Sequence, residues 1–409
     1  MISKLLKNTT YFLLGQSLVK IISFFYTLFL ARSLGVEDFG LLIVALSFFA
    51  LISSISDFGI SRYLIREIAI SKSHTKLILN VIVLRILTTV LIFLSLTSVF
   101  YLFDAGGARS VLIMFAVIAV IPQSLALSFD SIFVGLQKFS ISSIAFIISG
   151  FSTATLGILL VLLGFGAFGA ITALIFGQLI QVVFLGVYLI KQKIAVTSEV
   201  KMQALKRIIS NSAPYGVLMV IGMISFKIDS IILSYFRGNL ETGLYGASYK
   251  ILEASLFIPT VVSTVLFPFS AGSFDGGREK IRKVYPKLFF IMGFLGIITV
   301  LFYIFVVPEL ITNFLKDYKN SIDAIKILAL SIPLMFIHIP AGQIILSTKK
   351  YLRHSLLIYL SILAINVVLA FIIIPKYGFI GASWITVIGE AITLAAFVSF
   401  LKFKFFKES

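Results

Sequence analysis

The stretch "GAFGAITALIFGQ", Gly166 to Gln178, returns 212 residues later as "GFIGASWITVIGE", Gly378 to Glu390. Four small residues stay in register, Gly166/Gly378, Gly169/Gly381, Ala170/Ala382 and Gly177/Gly389, and Lys138-Phe139 and Lys350-Tyr351 keep the same spacing. A second echo lies near the start of each half. Gly40-Leu41, closing "LGVEDFG" (Leu34 to Gly40), recurs as Gly243-Leu244 inside "LETGLYG" (Leu240 to Gly246), and Asn8 and Asn211 share that offset of 203. Self-similarity at two places about half a chain apart is the signature of a duplication, each copy being one structural unit. Common ancestry and close helix packing through small residues would account for the matches without any further role.

The solvent of this chain follows from its composition. Of 409 residues, 59% are hydrophobic and 12% charged, and the mean hydropathy is +1.11. A domain in water cannot hide so much apolar surface. The apolar residues fall into twelve runs, roughly 11–30, 40–60, 77–103, 111–133, 140–163, 170–190, 213–236, 244–269, 286–307, 323–346, 355–374 and 380–401. Each is long enough to cross a hydrocarbon core of about 30 Å at 1.5 Å per residue. Lipid satisfies no backbone group and the runs lack strand alternation, so they are expected to be helices. The fold expected is all-α and polytopic, with six spans in each copy. Domain limits are expected at 1–195 and 211–409, joined by a basic cytoplasmic linker at 196–210. Prolines 122, 259, 333 and 340 should kink or break spans four, eight and ten. Six is even, so both copies enter the bilayer from the same side, a parallel repeat about an axis along the membrane normal.

The formal charge of +17 would suggest a nucleic-acid partner in a soluble protein. Here the placement of the charges argues otherwise. With the amino terminus inside, cytoplasmic segments carry 23 Lys and Arg, from Lys4 and Lys7 through Lys72, Lys349 and Lys350 to Lys407, and outer loops carry six. That asymmetry satisfies the positive-inside rule with both termini cytoplasmic. The first run lacks a small-x-small cleavage site and is kept as a span rather than a signal peptide. With no cysteine there is no disulfide framework and no thiolate metal site.

Enzyme signatures are scarce. "GFGAFG" at 164–169 fits G-x-G-x-x-G, but it joins two apolar spans instead of a strand and a helix, which makes it a turn. No phosphate loop or H-E-x-x-H occurs, and His74, His338 and His354 are scattered. Nothing assembles a nucleophile, a base and an orienting group. No cofactor and no metal site are expected, and His338, between Pro333 and Pro340, reads as a packing histidine in a broken span.

Charge inside the hydrocarbon carries more information, because each such residue costs about 2.5–3.5 kcal/mol on insertion scales and so faces a bundle interior or water. Gln16, Lys20, Ser23 and Thr27 share one face of span one, with Lys20 near its middle. The stripe suits either a cavity or a polar helix contact. Arg85 lies a third of the way into span three, where it can reach a cavity or snorkel. Spans seven and eight are antiparallel, which sets Asp229 level with Lys250 and Lys227 level with Glu253. Lys227 and Asp229 point to opposite faces while Lys250 and Glu253 share one, so both cross-pairs cannot form together. One charge is then left for the central space: a basic one suits an anion and a carboxylate suits a coupling cation. Asp57 and Glu390 are further carboxylates of that kind.

"FLARSLGVEDFGLLIVALSFFALISSISDFGISRYLIREIA" resembles the polysaccharide-biosynthesis or O-antigen flippase family of the multidrug/oligosaccharidyl-lipid/polysaccharide exporter superfamily. The resemblance rests on the "LG-x-E-x-FG" turn from Leu34 to Gly40, the "DFG" of Asp57 to Gly59 and the "R-x-x-x-RE" of Arg62 to Glu67. Lys227–Asp229 ("KxD") and Gly243–Tyr245 ("GxY") resemble the family's second half. It implies two six-helix, MATE-like lobes that alternate between inward and outward openings and move a polyprenyl-pyrophosphate-linked oligosaccharide across the cell membrane. In that setting Lys20, Gln16, Arg62, Arg85, Lys227 and Lys250 are candidates for the cargo, and Asp229, Glu253 and Asp57 for a Na⁺ or H⁺ coupling ion. Other implied partners are membrane lipids and glycan polymerase machinery. Twelve spans depart from the fourteen usual in lipid II flippases. A drug or small-molecule antiporter of the same superfamily is the alternative, and a membrane glycan polymerase a more distant one. The "LGVEDFG" turn itself is expected to keep Glu37 and Asp38 in water, with Gly40 giving a close backbone approach.

Overall fold

A computed structural model describes residues 2–70, 75–103, 107–194, 199–271, 278–346 and 351–405. Lys72, His74, Lys349, Lys350, Lys407 and part of the expected 196–210 linker lie outside them. The contacts divide the chain into two compact units, Met1–Lys227 and Ile228–Ser409. The first contains α1 (Ile2–Asp57), α2 (Ile60–Ile70), α3 (Thr75–Phe103), α4 (Ala108–Ile118), α5 (Val120–Gly135), α6 (Phe139–Leu162) and α7 (Gly166–Lys191). The boundary falls within α8 (Met202–Ser255), and the second unit continues with α9 (Phe257–Ala271), α10 (Arg278–Phe305), α11 (Val307–Phe314), α12 (Ile322–Ala329), α13 (Ser331–Leu346) and α14 (Leu352–Phe400). No strand occurs among the described residues. Among the described residues, eight helical stretches are long and apolar enough to cross a membrane, and α12 with α13, bent by 46°, forms a ninth. Phe25, Leu91, Phe151 and Phe290 are among the large apolar side chains that stand exposed, as hydrocarbon-facing surfaces do.

Three of those stretches run 43, 62 and 53 residues, and each is interrupted by one glycine with non-helical dihedrals. Gly35 (φ 76°, ψ 174°) breaks α1 and Gly238 (φ 79°, ψ −172°) breaks α8. These two are themselves 203 residues apart and adopt the same backbone, so the duplication is preserved down to a single pair of dihedral angles. Only glycine takes a positive φ without penalty. The close turn is therefore made five residues before Gly40, which is helical and buried. Gly166 and Gly378, which begin the two copies of the repeated stretch, both have φ 55° and start the last helix of each copy. Gly164 adds a φ of 90° to the "GFGAFG" turn.

Prolines act where expected in spans four, eight and ten. The chain leaves helical register at Ala119, Leu256 and Leu330, in each case three residues before Pro122, Pro259 or Pro333. A proline cannot donate to the carbonyl four residues back and collides with it, but it is tolerated in a first turn whose N–H groups have no partner. The helix stops and restarts so that the proline falls there. Pro340 lies within α13 without ending it.

The first unit is closed by a contact between backbones. Phe58 and Gly59 both have positive φ, 38° and 76°, and separate α1 from α2. A Cβ on Gly59 would stand 2.6 Å from the Gly216 nitrogen and 2.8 Å from the Ser212 carbonyl, and one on Gly216 would overlap the Phe58 carbonyl. Here α8 lies directly on the break. Beyond it α2 turns Ile60, Tyr63, Leu64 and Ile68 into a core shared with Ile78, Phe133, Leu185 and Ile208, leaving Arg62 and Arg66 exposed. Gly216→Ala is expected to lower the melting temperature, at about 1–3 kcal/mol for a side chain forced into packed backbone. Gly222→Ala on the same helix meets nothing within 4 Å. It should leave stability unchanged or raise it by up to about 1 kcal/mol.

Candidate functional site

In the first unit the "DFG" aspartate anchors a buried charge network. Arg85 is 0% exposed and Asp57 4%, and Arg85 Nη2 donates to Asp57 Oδ1. The same nitrogen donates to Ser61 Oγ at 2.6 Å. Nη1 donates to the Ser124 carbonyl at 2.9 Å and to Ser128 Oγ at 3.0 Å. Ser61 N donates to Asp57 Oδ1 at 3.2 Å. Three elements, the α1–α2 break, α3 and α5, thus converge on one guanidinium. Arg85 Nε is buried without a hydrogen-bond partner among the described residues. Nearby on α5, Asp130 is also buried and accepts from Ser142 Oγ on α6.

The second unit gathers a different set. Asp229 is 8% exposed, the hydroxyls of Tyr245 and Thr386 lie against its carboxylate with Glu390 close by, and its Oδ1 is buried with no hydrogen-bond partner among the described residues. Tyr245 Oη and Thr386 Oγ1 are 3.1 Å apart. Glu390, one turn along α14 from Thr386, pairs with His338 Nε2 of α13. The cluster therefore offers two carboxylates, two hydroxyls and an imidazole inside apolar helices. Hard oxygens of this kind suit an alkali cation, and a carboxylate with a histidine suits a proton.

A family model described as "Polysaccharide biosynthesis protein" matches residues 5–274. The chain belongs to this family. A putative O-antigen transporter of Shigella flexneri is 26% identical over 412 residues, covering 95% of this chain and 96% of that one. Among solved structures, lipid II flippase MurJ in an inward closed conformation superposes with a TM-score of 0.75 at 18% identity, over 96% of this chain and 87% of that chain. An outward-facing multidrug resistance MATE family transporter of the MOP superfamily gives a TM-score of 0.67 at 16% identity, over 97% and 94%. The fold of this family member is accordingly that of MATE-like transporters, and it is a multi-pass membrane protein.

The family member keeps some of the expected site residues together and separates others. Asp57 meets Arg85. Lys250 Nζ donates to Glu253 Oε2 at 2.7 Å along its own helix, while Asp229 faces Tyr245 and Thr386. Lys227 holds its ammonium 4.5 Å from the centre of the Phe226 ring. Lys20 is exposed on α1, Gln16 half-buried, Ser23 lines a cavity within the unit, and Thr27 bonds its own helix at the Ser23 carbonyl, 2.8 Å away. Glu37 and Asp38 are exposed. In the second copy of that turn the acid is engaged: Glu241 pairs with Arg237 at 2.7 Å and accepts the Phe379 N–H at 3.0 Å, a carboxylate set at the start of the helix that follows Gly378. Tyr245 enters the sequence only through the "GxY" motif and Thr386 only through the repeated stretch, and neither signal points to the carboxylate of Asp229.

Proposed function

We propose that the protein is a flippase that carries a polyprenyl-pyrophosphate-linked oligosaccharide from the cytoplasmic to the outer leaflet of the cell membrane by alternating access. One observation carries this reading. In a member of the polysaccharide biosynthesis family, the charged and polar groups are gathered inside apolar helices, and no more than ten residues separate one described helix from the next. A polymerase working on the glycan needs an extramembrane domain to hold its acid and base, and ten residues do not make one. Counting each glycine break as a boundary, the chain has twelve spans in two lobes, 1–195 and 211–409, with both termini cytoplasmic. Lys20, with Gln16 one turn away, meets the pyrophosphate; Arg62, Lys227 and Lys250 add positive charge along the path. Arg85 acts through its pair with Asp57. Asp229 with Glu390, and Glu253 in turn, answer a Na⁺ or H⁺ gradient, and glycan polymerase machinery takes the product.

The likeness in fold to a multidrug resistance transporter favours a second reading, an antiporter of small molecules. Both are tested in a host lacking its own O-antigen transporter. The full chain is expected to restore surface glycan, Lys20→Ala to abolish it at unchanged membrane abundance, and Lys20→Arg to recover part of it, since an ammonium and a guanidinium both bind phosphate. Normal surface glycan from Lys20→Ala would remove Lys20 from the mechanism. Drug resistance without surface glycan would establish the antiporter.

A further inference from the structure

The first unit contains a cavity of about 190 Å³ among the central turns of α1, α5, α6 and α7. Hydroxyls and amides from all four helices line it, among them Tyr26, Gln123, Thr153, Gln178 and Gln181, and among the described residues no charged side chain does. Two of these groups are incomplete: the Tyr26 hydroxyl and Gln123 Oε1 are buried with no hydrogen-bond partner among the described residues. Leaving a buried hydroxyl or amide unpaired is costly, so both mark a place where a guest supplies the missing bonds. Two glycines beside the cavity let its wall residues pack closely. A Cβ at Gly157 would overlap the Tyr26 hydroxyl, and one at Gly177 the Thr153 hydroxyl.

The chemistry of the guest follows from what the wall offers. A cation would find no carboxylate and an anion no basic group. Amides and hydroxyls both donate and accept, which suits a ring carrying several hydroxyls. The volume lies below the 300–1,000 Å³ usual for drug-sized ligands and leaves room for one pyranose. The repeat sharpens the contrast. Gln178 occupies the position that Glu390 holds in the second copy, where the side chain is charged and paired with His338. The two copies thus hold a neutral and an ionic cluster at one register. We propose that the cavity of the first unit binds a single uncharged pyranose ring. Resting on the flippase reading, we assign that ring to the glycan cargo.

The test uses the full chain in lipid nanodiscs and saturation-transfer NMR with three free sugars: N-acetylglucosamine, cationic glucosamine and anionic glucuronate. N-acetylglucosamine is expected to bind, and each charged sugar about tenfold more weakly, as for one desolvated charge left without a partner. Tyr26→Phe removes only the unpaired oxygen, so it should weaken sugar binding several-fold while keeping or raising the melting temperature. A structural hydroxyl would do the reverse. Gln181→Leu should also lose binding, and Gln178→Glu should turn the preference toward glucosamine. No signal from N-acetylglucosamine, equal signals from all three sugars, or a signal indifferent to Tyr26→Phe and Gln178→Glu would overturn the proposal and leave a water-filled cavity. Sugar binding without glycan export would refute the flippase reading and keep the site. Glycan export without selective binding would refute the site and keep the flippase.

Discussion

Arg85→Leu is expected to destabilise the protein by about 3–5 kcal/mol, because it strands the Asp57 carboxylate in a site 4% exposed. Two serine hydroxyls, those of Ser61 and Ser128, and the Ser124 carbonyl lose their guanidinium at the same time. The double variant Asp57→Leu/Arg85→Leu should regain most of the loss, since replacing both members of a buried pair by apolar groups is commonly neutral or stabilising. The comparison is made by the half-life of the detergent-solubilised protein at raised temperature, a kinetic measure suited to irreversible unfolding. If the double variant is as stable as the parent yet exports no glycan, the pair serves the transport cycle. If it is stable and exports normally, the pair is architectural. Equal half-lives for Arg85→Leu and the parent would refute the account of this network.

The spans were legible because hydropathy and length alone define them in lipid, and the duplication because small residues at close helix contacts leave a readable register. Proline breaks were legible for a similar reason, a steric rule that acts within one turn. The turn glycine lies five residues before the expected one: Gly40 stands out through the repeated Gly-Leu, whereas Gly35, the other glycine of the "LG-x-E-x-FG" turn, matches Gly238 outside the quoted "LETGLYG" copy. An offset search over every glycine would have found them.

Partners across helices were not legible. Helical spacing says which residues share a face but not which helix that face meets. The sequence assigns Asp57 to an ion and Arg85 to the cargo, and the structure joins them to each other. Depth counting paired Asp229 with Lys250, yet depth fixes only one coordinate of three. Rotation about the helix axis sets Asp229 against Tyr245 and Thr386, and leaves Lys250 to Glu253 one turn away. His338 reads as a packing histidine from sequence because its partner Glu390 is 52 residues distant. Such contacts belong to the tertiary fold.

In the proposed flippase, Asp229 is the group that ties movement of the lipid-linked glycan to an ion gradient. The carboxylate is buried, flanked by two hydroxyls and a second acid, and has an oxygen with no partner among the described residues, a place that a coupling cation would complete on the proposed flippase reading. Each charge moved down 100 mV supplies about 2.3 kcal/mol, worth roughly 50-fold in the distribution of cargo between leaflets. Asp229→Asn keeps the shape and removes the charge, which should hold transport near equilibration with no response to the gradient. The most direct measurement is the fraction of polyprenyl-pyrophosphate-linked oligosaccharide in each leaflet of reconstituted vesicles, with and without an imposed Na⁺ or H⁺ gradient. The protein should concentrate the lipid in one leaflet only when a gradient is present, and Asp229→Asn should abolish that asymmetry while melting as the parent does. A well-folded Asp229→Asn protein that still concentrates the cargo, or a parent that moves none of it, would contradict the account.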